Sequence, residues 1–362
     1  MSKKNIKSLS LEQLEALALS LGEPRFRGRQ LFQWLYAKGA TSFEAMSNLP
    51  TAFRSALDTH FDLQTLKCIQ MQTSVIDGTV KSLYQLHSGK AIETVLIPGF
   101  DEDGDASRLT VCVSSQVGCA MGCTFCATGQ MGFMQNLHAG EIYDQVWQMN
   151  QLANEQYGRK ITNVVFMGMG EPLQNYEQVL QAIGLLTSPE GLGLASRRIT
   201  LSTVGLAGRI MRLADDDVKV NLAISLHAPT PEKRSEIMPV NRSLKTDLKA
   251  LKEAVQYFYQ RTKNQITYEY CIFDHFNDHE EDAKALAKIV RWAPSKVNLI
   301  MFNPVKGVAF EASREQRLNA FIRVLVANKV TVTVRRSRGQ DIEAACGQLA
   351  INVGEIEKTA AQ

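Results

Sequence analysis

From about Ser10 to Phe61, apolar residues recur every three or four positions, in LEQLEALALSLG, GRQLFQWLYAKG and FEAMSNLPTAFRSALDTHF. Each run is closed by glycine, proline or a polar turn, so the pattern predicts a helical module over residues 1–66. From Cys68 to Pro98 the period falls to two: IQMQTSVI, VKSLYQLH and AIETVLIP are separated by Asp77-Gly78 and Ser88-Gly89. Such turns between alternating runs predict a short antiparallel β extension, residues 67–106, that ends in an exposed acidic loop at Asp101 to Asp105.

After Arg108 the pattern changes again. β-branched apolar runs (LTVCVS, ITNVVFMG, RRITLST, VKVNLAISL, QITYEYCIF, KVNLIMFN, KVTVTVRR) alternate with longer amphipathic segments such as GEIYDQVWQMNQLANEQ and DLKALKEAVQYFYQRT. This alternation predicts right-handed βαβ units on a parallel sheet, open or closed into a barrel, over residues 107–350, with a tail at 351–362. In such folds the loops beyond the carboxyl ends of the strands build the site. The distinctive motifs fall at those ends: the cysteine loop after the first strand, Gly168-Met169-Gly170-Glu171-Pro172 after the second, Ser202-Thr203 at the third, Ser225-Leu226-His227 at the fourth and Asn303-Pro304 at the sixth.

The cysteine loop carries the strongest chemistry. Cys119, Cys123 and Cys126 are spaced C-x3-C-x2-C, one thiolate short of a closed tetrahedral site. A [4Fe–4S] cluster held by three cysteines leaves one iron open to a small molecule. Structural zinc is the alternative, but it normally takes paired ligands; no second pair is present, and the nearest downstream histidine, His138, stands at a predicted helix start. Glu171, after two glycines, suits an ammonium, although a tight strand-to-helix turn explains the glycines equally well. Cys346 lies between Ala345 and Gly347, beyond the basic run Arg335-Arg336-Ser337-Arg338, and Cys112 precedes Cys119 in the first strand. Cys68 and Cys271 sit in β-like runs with no neighbouring signal. In the first interhelical turn, Arg25, Arg27 and Arg29 alternate with Phe26 and Gly28, which suits either phosphate binding or arginine stems lying over the core.

Composition adds bounds. With 362 residues, 45% hydrophobic and 21% charged, the chain can bury a full core. A net charge of +3 is too mild to demonstrate nucleic-acid binding. No run approaches the length of a spanning helix, and the amino terminus lacks the apolar core of a secretory signal, so no membrane association or export is expected. Seven cysteines, odd in number and clustered, point to a reducing compartment, with the cytoplasm as the expected location.

Taken together, VCVSSQVGCAMGCTFCATGQMGF, FMGMGEPLQN, RRITLSTVG, ISLHAP, RSEIMPVNR, LIMFNP and DIEAACGQL resemble the radical S-adenosylmethionine (SAM) RNA adenine methyltransferases, the RlmN/Cfr family. The resemblance covers about Ile92 to Leu349. It implies an α/β fold, a partial TIM-like (β/α)6 radical SAM barrel with an N-terminal helical accessory module and a short antiparallel β extension. It implies that Cys119, Cys123 and Cys126 hold a [4Fe–4S] cluster, and that Gly170, Glu171, Ser202, Ser225, Leu226, His227 and Asn303 line the SAM site. Cys346 would accept a methyl group, Cys112 would be its later disulfide partner, and Glu93 would be the proton acceptor, against the reading of Glu93 as a solvent-facing strand residue. Val117 and Pro172 match the C2-methylating (RlmN) type rather than the C8 (Cfr) type. The implied substrates are an adenine of 23S rRNA and adenine 3′ to the anticodon of some tRNAs, with two SAM consumed per turnover and a reductase such as flavodoxin as electron donor. Arg25, Arg27, Arg29, Arg335, Arg336 and Arg338 are the candidate phosphate contacts. A C8 methyltransferase and a non-catalytic metal-binding RNA module are the competing readings.

Overall fold

A computed structural model describes residues 3–63, 66–243 and 247–351, the side chains of residues 242 and 243 excepted. The expected tail beyond Ile351 lies outside the described residues.

The amino-terminal helices are α1 (Leu11–Ser20), α2 (Phe26–Tyr36) and α3 (Thr51–His60). Ser10 and Gln13 form a reciprocal capping box that starts α1. Gly28 lets α2 cross close to α1, since a Cβ there would come within 2.4 Å of the Glu15 backbone. The third helix is shorter than its pattern predicts. Residues 43–50 wind through turns, and α3 starts only after Pro50, whose ring disfavours helical geometry in the residue before it. Phe43, Met46 and Leu49 are nevertheless buried, so their three-residue spacing reports burial rather than a helix.

Ten strands form one sheet: β1 (Lys67–Thr73), β2 (Val80–Gln85), β3 (Ala91–Phe100), β4 (Ala106–Cys112), β5 (Asn163–Phe166), β6 (Ile199–Thr203), β7 (Asn221–Ser225), β8 (Ile266–Ile272), β9 (Ser295–Met301) and β10 (Val332–Arg335). They lie side by side in sequence order. β1 to β3 form the expected meander, and β4, expected as the first barrel strand, pairs antiparallel with β3 and parallel with β5. The antiparallel extension therefore continues the barrel sheet. From β4 to β10 all neighbours are parallel, and β10 and β1 are opposite edges, so the barrel is partial.

The crossovers carry α4 (Ala139–Tyr157), α5 (Tyr176–Thr187), α6 (Ala207–Asp215), α7 (Pro231–Ile237), α8 (Leu248–Thr262), α9 (Glu280–Val290) and α10 (Glu315–Ala327). β8 is buried along its whole length, as expected of a central parallel strand covered on both faces. The helical module is docked by a buried ion pair, Lys7 to Asp144 of α4 at 2.7 Å, and by the Tyr143 hydroxyl donating to the Tyr36 carbonyl. Among the described residues no helix is long and apolar enough to cross a membrane.

Candidate active site at the carboxyl edge of the sheet

The loops after β4, β5, β6, β7 and β9 meet at one edge of the sheet, as the motif positions predict. The cysteine loop is fixed by backbone bonds: the Cys119 N–H donates to Gly132 O (3.0 Å), Thr124 N–H to Ile237 O (3.0 Å) and Ala127 N–H to Gly347 O (2.8 Å). Gly118 has φ +70°, and a Cβ there would lie 1.8 Å from Gly132 O, so only glycine fits. The glycines after β5 line the cleft described below, and their lack of a side chain also serves packing between loops. A Cβ on Gly168 would meet Val113 O at 2.7 Å and one on Gly170 the Gln116 side chain at 2.5 Å, so they let the two loops pack on each other.

Cys119, Cys123 and Cys126 all line a cleft of about 920 Å³. Its inner wall is a small aromatic cluster in which Phe125 packs edge-on to His227 at 4.9 Å and against Phe273 at 5.4 Å. Burial pushes the Cys119 thiol up to about 12 and the Cys123 thiol far above its ordinary range, and the three sulfurs raise one another further. As thiolates they would place three negative charges in an apolar cleft, where Arg234 is the cation acting on Cys123. An iron-bearing group supplies the missing positive charge through soft sulfur ligation, so the donor set fits an iron–sulfur cluster. His138, the nearest histidine downstream of the cysteines, caps α4 and does not line this cleft.

Gly170, Glu171, Ser202, Ser225 and His227 share the cleft with the cysteines. The Glu171 carboxylate accepts from the Val204 amide at 2.8 Å and the Leu173 amide at 3.0 Å, yet burial still pushes it up to about 7. The Ser202 and Ser225 hydroxyls lie 3.3 Å apart. His227 holds a left-handed backbone (φ +55°), a sparsely populated conformation for a non-glycine residue. Its Nδ1 accepts the Cys271 N–H at 3.0 Å, which leaves the proton on Nε2, and burial lowers the ring to about 3, so it stays neutral. Leu226 is buried behind the cleft, where its N–H donates to Glu269 O at 3.0 Å.

Asn303 does not line this cleft. Its side chain donates to the Cys346 carbonyl at 3.2 Å and accepts from Gln340 Nε2 at 3.0 Å, so it positions the Cys346 loop. Cys346 stands in the wall between the cleft and a second cavity of about 490 Å³, which Cys112 and Arg335 also line. Both thiols are free, and burial pushes Cys112 up to about 12. Arg335 faces the Cys346 sulfur, whose charge raises the guanidinium above its already high ordinary value.

Glu93 is neither solvent-facing nor open to these cavities. It is buried, pairs with Lys81 at 3.0 Å and accepts the Ala350 N–H at 2.9 Å, one residue from Leu349 in the wall of the Cys346 cavity. The basic turn of the helical module is likewise committed internally. Arg25 holds Glu15 at 2.6 Å, Arg29 bridges Glu15 (3.7 Å) and Glu190 (3.3 Å), and Arg27 donates to Asn48 O at 2.9 Å.

Three site residues carried no separate signal in the sequence. Arg234, on α7, is fully buried, and its guanidinium donates to Val204 O and Asn241 Oδ1. Cys271 lines the cleft, as does Glu269. Cys271 and Glu269 read as ordinary members of an apolar strand, and Arg234 opens the motif RSEIMPVNR without a role assigned to it.

Comparison with known proteins agrees with this arrangement. Residues 4–63 match the ribosomal RNA large subunit methyltransferase N-terminal domain, and residues 113–287 match the radical SAM superfamily. The chain is 57% identical to a probable dual-specificity RNA methyltransferase RlmN of Salinibacter ruber, over 97% of this chain and 95% of that protein. It is 42% identical to a dual-specificity RNA methyltransferase RlmN of Campylobacter fetus, over 96% and 98% of the two chains. The crystal structure of a radical SAM methyltransferase from Sphaerobacter thermophilus superposes with a TM-score of 0.88 at 42% identity, covering 96% of this chain and 99% of that one.

Proposed function

Because the chain belongs to the RlmN family of radical SAM RNA methyltransferases, we propose that it methylates C2 of an adenine in 23S rRNA, and of adenine 3′ to the anticodon in some tRNAs, through S-methylated Cys346. Family membership implies SAM and an iron–sulfur cluster as cofactors. In this reading Cys119, Cys123 and Cys126 hold the cluster, and Gly170, Glu171, Ser202, Ser225 and His227 surround SAM, with Leu226 packed behind them. When bound, the two groups supply the methyl group and the hydrogen-abstracting radical.

The observation that carries the reading is the position of Cys346, in the wall between the cysteine cleft and the cavity of Cys112. Adenine C2 is electron-poor and resists polar methylation, so the carbon is first loaded on sulfur. The Cys346 thiolate takes up a methyl group, and after loss of one hydrogen atom that carbon bonds to C2, tethering base to protein. C2 then gives its hydrogen to a base as a proton, and the unpaired electron left on the ring must pass to a one-electron acceptor, a role the iron–sulfur cluster would supply when bound. The Cys112 thiolate attacks Cys346 Sγ; an S–S bond forms, the S–C bond breaks, and its electron pair leaves on the carbon, which takes a proton to complete the methyl group. External reductant, from a reductase such as flavodoxin, must then reopen the disulfide. Neutral His227 and buried Glu171 keep cleft geometry without adding net cationic charge beside the incoming sulfonium. Glu93, which accepts the Ala350 N–H, serves as the proton acceptor.

The test is anaerobic incubation of reconstituted protein with SAM, reductant and unmodified rRNA and tRNA transcripts, followed by mass spectrometry of the nucleosides. 2-Methyladenosine in both is the expected product; 8-methyladenosine, or no methylated adenine, contradicts the reading.

A further inference from the structure

Below the cysteine cleft, the barrel lumen opens into a third and larger cavity of about 1680 Å³ that carries Arg108, Lys296, Arg335, Arg336 and Arg338. Glu269, at the middle of β8, lines both spaces. It is 3% exposed. Its Oε1 accepts from Asn298 Nδ2 at 3.0 Å, and Asn298 Oδ1 in turn accepts from the Thr333 hydroxyl. Oε2, by contrast, is buried with no hydrogen-bond partner among the described residues. A buried carboxylate oxygen left unpaired is costly, and one held in a fixed direction by a two-member relay is a group awaiting a donor. Arg335 faces Glu269 as well as Cys346 and Cys112, so carboxylate and thiols border the same part of the lumen.

We propose that Glu269 is the specificity residue for the target base, its Oε2 accepting a hydrogen bond from the exocyclic 6-amino group of adenine while C2, across N1 on the same edge of the ring, faces Cys346. The inference rests on the RNA-adenine reading above and deepens it. The groups are complementary: Glu269 is acceptor-only when ionised, and adenine presents a donor at position 6 where guanine and hypoxanthine present a carbonyl oxygen. Two oxygens facing each other repel, so a 6-keto purine is turned away, and a purine without the 6-amine leaves Oε2 unpaired. The Asn298–Thr333 relay fixes which oxygen points inward. With glutamine in place of glutamate, the oxygen must stay on Asn298 Nδ2, so an –NH₂ donor points into the lumen. The recognition code is thereby inverted.

The experiment is single-turnover methylation of RNA hairpins carrying adenosine, inosine or unsubstituted purine riboside at the target position, with wild-type protein and Glu269→Gln. Wild type is expected to favour adenosine by about 10²-fold or more over both analogues, the scale of a buried polar group left unsatisfied. Glu269→Gln is expected to lose most of its adenosine activity while its adenosine-to-inosine ratio shifts toward inosine by at least about tenfold. Wild-type methylation of the purine riboside hairpin at the adenosine rate overturns the proposal without recourse to any variant. An unchanged adenosine-to-inosine ratio in Glu269→Gln, whether activity is kept or lost, also overturns it, since a structural defect lowers both substrates together. Failure of wild type on adenosine itself removes the RNA-adenine reading and this inference with it, an outcome distinct from loss of discrimination alone.

Discussion

Two groups of thiols share the same end of the barrel and differ in what surrounds them. Cys119, Cys123 and Cys126 sit against aromatic rings, and burial together with their mutual repulsion drives Cys119 and Cys123 far from ionisation. Burial pushes Cys112 up to about 12 as well, but it and Cys346 border a cavity that carries a fixed guanidinium, Arg335. The first group has donors but too little positive charge, so it is built to receive a metal-bearing group. The second brings its own cation, as a nucleophile and its resolving partner require.

The largest effect that sharpens this contrast is expected from the first group. Cys126→Ala should abolish iron binding and lower methylation by at least about 10³-fold, read by iron and sulfide analysis beside product formation; retention of four irons would break the comparison. In the second group, Cys346→Ala should give no methylated RNA while keeping its iron, and Cys112→Ala should stop after a single turnover. Next comes the cation. Arg335→Met should slow alkylation of Cys346 by iodoacetamide by about tenfold, followed by peptide mass spectrometry, and leave iron content unchanged.

A smaller effect concerns His227. Its folded value, about 3 against an ordinary 6.5, means that between those limits the unfolded chain binds a proton that the folded chain refuses, so stability falls as pH drops through that window. His227→Asn keeps an acceptor for the Cys271 N–H and tolerates the left-handed backbone but cannot titrate. Its melting temperature should fall less than wild type's between pH 7 and 5, by about 2–4 °C for each kcal/mol removed. The smallest effect is at the amino-terminal turn: Arg25→Ala breaks a partly exposed pair with Glu15, costing about 0–1 kcal/mol, and should change RNA affinity less than Arg336→Ala or Arg338→Ala in a filter-binding salt series.

The sequence made the strand-end rule legible, because each motif follows its own strand within a few residues and needs no knowledge of register. The cysteine spacing is equally local. What escaped depends on pairing across the sheet. Glu269 in ITYEYCI looks like one polar residue in an apolar strand until Asn298 and Thr333 fall into register beside it. Arg25 and Arg29 look like a phosphate grip until Glu15 and Glu190 arrive from elsewhere in the chain. The edge that carries Asn303 is legible from its strand, but its carbonyl partner at Cys346 is set by a loop that returns from beyond the last strand. The start of α3 is hidden for a different reason, since buried turns can carry a helical spacing.

The most direct measurement of the central claim is a turnover reaction with Cys112→Ala, resolved on a denaturing gel and analysed by mass spectrometry of the nuclease-trimmed peptide. The account predicts an RNA adduct in which Cys346 Sγ is joined through one carbon to adenine C2. Free methylated RNA at the wild-type yield, with no adduct on Cys346, would contradict it.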